Sequence, residues 1–171
     1  NPETGEKNFS KPDCQRMSDE QFRWLKGTLK AAKGGDHVFV FLHHPRWLRQ
    51  YGDDWKKVHK ALAANGNVRA VFAGHIHYMG FSGVRDGIEY YTVASVGAHL
   101  SMEAPEAGFL HQYHVVTVRP EGIQVAAIPV GGVMDPQAIT DEMAREALRE
   151  VDALWSDLAP AASTEDGNED G

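Results

Sequence analysis

Val38-Phe39-Val40-Phe41-Leu42-His43-His44-Pro45 and Val68-Arg69-Ala70-Val71-Phe72-Ala73-Gly74-His75-Ile76-His77 share one layout: an apolar run followed at once by imidazoles. Each run is apolar enough to be a strand buried on both faces, which is the habit of parallel strands in α/β sheets. The C-terminal ends of such strands are where open α/β sheets build their sites. In extended backbone, residues i and i+2 point to the same side, so His75 and His77 are expected to reach into one cavity, with Gly74 allowing a tight turn. Neutral imidazole is a good ligand for Zn, Fe and Mn. The chain has nine histidines, and a lone histidine at a strand end is more often a hydrogen-bonded structural residue than a ligand. The ordered set is far more specific: apolar strand, His-x-Pro, amphipathic helix, second apolar strand, Gly-His-x-His.

Working outward, Ser18-Asp19-Glu20-Gln21 is a capping box that opens a helix, with Phe22, Leu25, Leu29 and Ala32 on one face. Gly34-Gly35 ends it before the first strand. Asp53 or Asp54 caps a second helix with Trp55, Val58 and Leu62 inward and Lys56, Lys57 and Lys60 on a solvated face. Asn65-Gly66-Asn67 breaks that helix before the second strand. Strand, helix, strand in parallel brings His43 and His75 to neighbouring strand ends. Beyond His77 the period changes. Tyr78 to Val84, Ile88 to Val96, Gln112 to Val118 and Ile123 to Val130 read as strands of an antiparallel meander that extends the sheet, and Gly97 to Leu110 as a loop. Thr140-Asp141-Glu142 opens a last helix running to about Leu158. His37 and His59 read as surface positions, and His114 as a packed strand residue. His111, three residues from His114, faces the other side, and His99 borders the strand ends from its loop.

The 171 residues, 42% hydrophobic and 24% charged, suffice for one sizeable core. A formal net charge of −7 argues against binding nucleic acid through its phosphates, and no basic patch for it is expected. Cys14 is the only cysteine, which excludes an intrachain disulfide. No apolar run is long enough to span a bilayer. Ala159 to Gly171, with Glu165, Asp166, Glu169 and Asp170, reads as a disordered acidic tail.

The ordered set resembles the C-terminal half of the calcineurin-like metallophosphoesterase family, which includes the purple acid phosphatases. His43-His44-Pro45 resembles the family's single-histidine motif and Gly74-His75-Ile76-His77 its closing Gly-His-x-His, and Gln21-Phe22-Arg23-Trp24-Leu25 resembles the helix before the first. The resemblance runs from roughly Ser18 to Val130. It implies an α/β chain forming the C-terminal half of a four-layer αββα sandwich with mixed sheets. It also implies two metal ions (Mn, Fe or Zn) bridged by a hydroxide that attacks a phosphoester. By resemblance, His43 and His75 bind one metal and His77 the other. His44 either touches substrate or groups behind the ligands, or is a satisfied loop histidine; both remain open. Arg46 and Trp47, on the same loop, are candidates to meet a phosphate or an aromatic leaving group.

The family's N-terminal motifs, Asp-x-His, Gly-Asp-x-x-Asp and Gly-Asn-His followed by Asp or Glu, do not occur, and the chain begins at Asn1 rather than Met. The expectation is a piece of a longer protein carrying half of an active site and inactive on its own. The N-terminal half of the same domain would then bring the bridging aspartate, the asparagine ligand and the acid histidine. The expected organisation is a metallophosphoesterase part over residues 1–133, a C-terminal helix over 134–158 and a tail over 159–171. Two function classes follow: a metal-dependent phosphoester hydrolase, or a non-catalytic scaffold or interaction domain of the same fold. Three imidazoles held together favour the hydrolase.

Overall fold

The structure is a computed structural model that describes residues 3–6, 8, 11, 16–48, 54–100, 104–129 and 136–158, the last eight by backbone alone. Cys14, the Asp53 alternative for the second cap and the acidic run from 159 to 171 lie outside the described residues. Helix α1 (Asp19–Ala31) starts as its capping box requires, with the Ser18 side chain accepting from Gln21 N and Asp19 and Glu20 in the first turn. A 3-10 turn over Ala32–Gly34 leads to strand β1 (Val38–Leu42), then α2 (Trp55–Asn65) and β2 (Val68–Ala73). Gly66 closes α2 in the left-handed conformation at φ 82°. The hairpin β3 (Gly80–Arg85) and β4 (Ile88–Thr92) follows, then β5 (Gln112–Arg119), β6 (Gly122–Pro129) and α3 (Asp141–Leu158).

The strands form a four-stranded sheet in the order β1-β2-β4-β3 and a separate two-stranded sheet, β5-β6. Pairing is parallel between β1 and β2 and between β2 and β4, and antiparallel between β4 and β3. It is a mixed α/β arrangement. The expected single meander is therefore corrected in two places. First, β4 rather than β3 sits beside β2, because Ile88, Tyr90, Tyr91 and Thr92 are all buried whereas β3 carries Gly80, Ser82, Gly83 and Arg85 and tolerates an edge. Second, β5-β6 leaves the sheet and packs on it, with Val116, Ile123 and Val125 against Ala70, Phe72 and Tyr91. The alternation in β5 identifies an inward face without naming the sheet it meets.

On the opposite face, α1 and α2 bring Leu25, Leu29, Val58 and Leu62 onto Val68, Val71 and Tyr90. Both faces of β2 are thus covered, which is why it could be written in apolar residues throughout. Fully burying each such side chain is worth about 1.5–3 kcal/mol. β1 pairs only with β2 among the described strands, and Phe41, stacked on Phe72 at 5.4 Å, stays 74% exposed beside that free edge. Near its start, α3 packs Ala144, with Ala147 and Leu148 beside it, onto Tyr78 and Phe109. No helix among the described residues is long and apolar enough to cross a membrane.

Two histidines expected at the surface instead join elements. His59, on α2, meets the Tyr90 hydroxyl at 2.6 Å and Asp86 at 2.9 Å. His37 Nδ1 accepts from Arg69 Nε at 3.1 Å, which leaves Nε2 to donate to the Arg119 carbonyl at 2.6 Å and tie the two sheets together. A pattern of apolar spacing cannot anticipate such bridges.

His114 lies between the sheets near Tyr91, and neither buried ring nitrogen finds a hydrogen-bond partner among the described residues. Burial pushes its pKa from 6.5 down to about 4. Between those values the unfolded chain binds the extra proton and the folded chain does not, so stability falls as pH drops from 6.5 towards 4. The loss over that interval is about 3 kcal/mol, and above it this ring contributes no pH dependence. His114→Leu should therefore leave stability at pH 7 unchanged or raised, and flatten the acid limb. Thermal melts of both proteins across pH 4–7 check this; parallel profiles would contradict it.

Candidate metal centre

The parallel ladder brings the two histidine motifs together. Leu42 pairs with Ala73 at the last step of β1 and β2, and the ladder continues one bond further, from Gly74 N to the His43 carbonyl at 3.0 Å. His43, His44 and His75 then each offer a ring nitrogen within 4.8 Å of the others. Ring centroids lie 4.0 Å apart for His44 and His75, 4.9 Å for His43 and His44, and 5.1 Å for His43 and His75.

The expectation that His75 and His77 share a side as extended residues is corrected. Both are left-handed, at φ 72° and 56°, so the alternation rule does not apply to them. A non-glycine residue held there costs about 1–2 kcal/mol, and such strain collects at functional sites. His75 joins the cluster, while His77 Nδ1 donates to the His99 carbonyl at 2.6 Å. That bond fixes the neutral tautomer and leaves His77 Nε2 as the atom with a lone pair. His99 thus enters through its backbone, and His111 holds the same loop by donating to the Ala98 carbonyl at 2.8 Å.

Burial pushes His44 from 6.5 down to about 4, with neighbouring His75, His43 and Arg46 acting in the same direction. Burial also lowers His75, followed by the effects of His43 and His77. Imidazoles that resist protonation keep their lone pairs at neutral pH, which is the state a metal requires. The donor set of the cluster is all nitrogen, with no carboxylate in it among the described residues. Such a set of imidazole nitrogens suits Zn or Fe better than Mg or Ca.

His44 turns out to be a member of the cluster, a possibility that its place beside His43 leaves visible in the sequence. Arg46 and Trp47, the candidates for meeting substrate, both have partners within the chain. Arg46 donates to Asp54 at 2.6 Å, and the same carboxylate accepts from Met17 N at 2.9 Å. Asp54 therefore stands at the N-cap of α2 without capping it. Trp47 is 8% exposed, packs against Trp55 and Tyr90, and donates Nε1–H to Ser82 at 2.8 Å. The pairing of Asp54 with a residue eight positions earlier leaves no signal in apolar spacing.

A family model described as calcineurin-like phosphoesterase matches residues 3–79, the stretch that contains both histidine motifs. No curated protein matches the chain. The match supports a metallophosphoesterase-type function, with hydrolysis of phosphoesters as the general activity and metal ions as its cofactors.

Where the matched stretch ends, the chain is fastened by a close approach. Met79 N donates to the Gly108 carbonyl at 2.8 Å, and Tyr78 packs on Phe109. Gly108 sits at φ +88°, and a Cβ there would come within 2.1 Å of the Met79 carbonyl oxygen. Gly108→Ala should cost about 3–5 kcal/mol. Gly122→Ala, with open space around it and no positive φ, should change stability by no more than about 0.5 kcal/mol. Urea unfolding of the two variants tests the contrast, and equal effects would contradict it.

Proposed function

We propose that this chain supplies the histidine side of a binuclear metal centre in a metal-dependent phosphoester hydrolase. The observation that carries the proposal is the convergence of His43, His44 and His75 at the C-terminal ends of two parallel strands, within the segment that matches the family. His43 and His75 would hold one ion. His77, turned by its bond to the His99 carbonyl, would offer Nε2 to the second. His44, neutral and packed against His75, would add a third nitrogen to that ion or orient the other two imidazoles. Metal ions held there would supply Lewis-acid chemistry for phosphoester hydrolysis.

The chain's own part is to hold these imidazoles deprotonated and in place. The cluster contains no carboxylate among the described residues; oxygen ligands would come from the N-terminal half of the same domain. Arg46 and Trp47 fix the loop that carries His43 and His44. The non-catalytic alternative, a scaffold of the same fold, would give the imidazoles no common task.

Titration of the chain with Zn²⁺ or Mn²⁺ by calorimetry, together with hydrolysis of an aryl phosphate by the intact protein, tests this. His75→Ala should weaken metal binding by more than about tenfold. His75→Ala and His77→Ala should each lower hydrolysis at least about a hundredfold with the fold intact, since water activation depends on the bound metal. Binding that survives His43→Ala with His75→Ala, or full hydrolysis by His77→Ala, would overturn the assignment.

A further inference from the structure

The loop that carries His43 and His44 is held from a distance. Arg46 N donates to the His44 carbonyl at 2.8 Å and Leu48 N to the Pro45 carbonyl at 2.9 Å, so the segment is a run of tight turns with little slack. Trp47, three residues after His44, is its one indole anchor. Its Nε1–H can only donate, so Ser82 Oγ accepts it, and Ser82 turns its own hydrogen to the Asp141 carboxylate through a short bond. Every link in this relay has one direction.

Asp141 is the first residue of α3, 97 residues of sequence away from His44, yet it is only 9% exposed. Its other oxygen, Oδ1, is buried and has no hydrogen-bond partner among the described residues. A buried carboxylate oxygen of that kind is costly to keep, and the chain is shaped to admit it. A Cβ on Gly80 would come within 2.9 Å of both Asp141 Oδ1 and Thr92 Oγ1. The amide end of α3 favours a negative charge at its first turn. Phe81 N donates to the Ile139 carbonyl at 2.7 Å, and Phe81 also bridges to Thr140, so the start of α3 is docked on β3 beside Ser82.

We propose that Asp141 is a positioning residue for the histidine cluster, acting through Ser82 on Trp47 and so on the turn that carries His43 and His44. It rests on the metal-centre reading above for its consequence, although the relay itself is a property of the metal-free chain. With the Arg46–Asp54 pair on the other side, the loop is clamped at two successive residues, one fastened to the start of α2 and the other to the start of α3. α3 therefore couples to the metal centre without contributing a ligand to it.

The test uses Co²⁺ as the probe on the full chain, read by its visible absorption, and the Trp47 indole N–H and histidine ring resonances on the metal-free chain. Asp141→Ala should lower Co²⁺ affinity by about ten- to a hundredfold, as loss of an orienting group does. It should also speed hydrogen exchange at the Trp47 indole and shift the His43 and His44 resonances. Asp141→Asn, whose amide oxygen can still accept from Ser82, should recover most of the affinity. Leu148→Ala, which loosens α3 where it packs on Tyr78 and Phe109, should lower the melting temperature and leave Co²⁺ affinity unchanged. If Leu148→Ala weakens Co²⁺ as much as Asp141→Ala does, or if Asp141→Ala leaves both affinity and resonances unmoved, the positioning role is overturned. A wild-type chain that binds no Co²⁺ overturns the metal-centre reading instead. The resonance shifts then decide the relay by themselves, and their absence overturns it.

Discussion

One backbone hydrogen bond, from Gly74 N to the His43 carbonyl, carries the parallel ladder of β1 and β2 a step beyond the strands. Everything at the candidate site depends on that register. A slip of one residue would exchange the faces of β1, separating Val38, Val40 and Leu42 from the helices and carrying His43 away from His75. The register is protected because β2 is covered on both sides, by α1 and α2 on one and by β5-β6 on the other. The apolar sequence of the strands and the position of the imidazoles are therefore one design: the core fixes the ladder and the ladder fixes the histidines.

Around that ladder, the loops are held by polar contacts that reach far along the chain. Asp54 joins Arg46 to the backbone of Met17, and Ser82 joins Trp47 to Asp141. His77 and His111 draw in the backbone of the loop at Ala98 and His99. The contacts of Asp54 and Ser82 are part-buried, and breaking one leaves a polar group stranded, whereas those of His77 and His111 are exposed. Rigidity at the site thus comes from several separate clamps, while the left-handed His75 and His77 absorb the strain of the turn.

What the sequence discloses follows from what is local. β1 and β2 run over the residues that their two-sided apolarity marks, and the Ser18 cap opens α1 where the capping box stands. The meeting of His43 with His75 follows from parallel strands with neighbouring ends. The rest depends on contacts between distant residues. Nothing in β4 says that it will pair with β2, and nothing in the alternation of β5 says that it will cross to a second sheet. Left-handed backbone at His75 and His77 is hidden because both are ordinary L-residues without a glycine's signature. Asp54 and Asp141 read as helix-start acids, which is where they stand, yet their carboxylates go to Arg46 and to Ser82.

X-ray absorption at the zinc K-edge of the zinc-loaded chain asks most directly whether these imidazoles hold an ion. Ligation by His43, His75 and their neighbours requires nitrogen scatterers at about 2.0–2.1 Å, with the outer-shell pattern of imidazole rings. That pattern should fade when His43 and His75 are replaced together. A shell of oxygen alone, or a spectrum indifferent to those replacements, would mean that the cluster is a packing feature of the strand ends and not a metal centre.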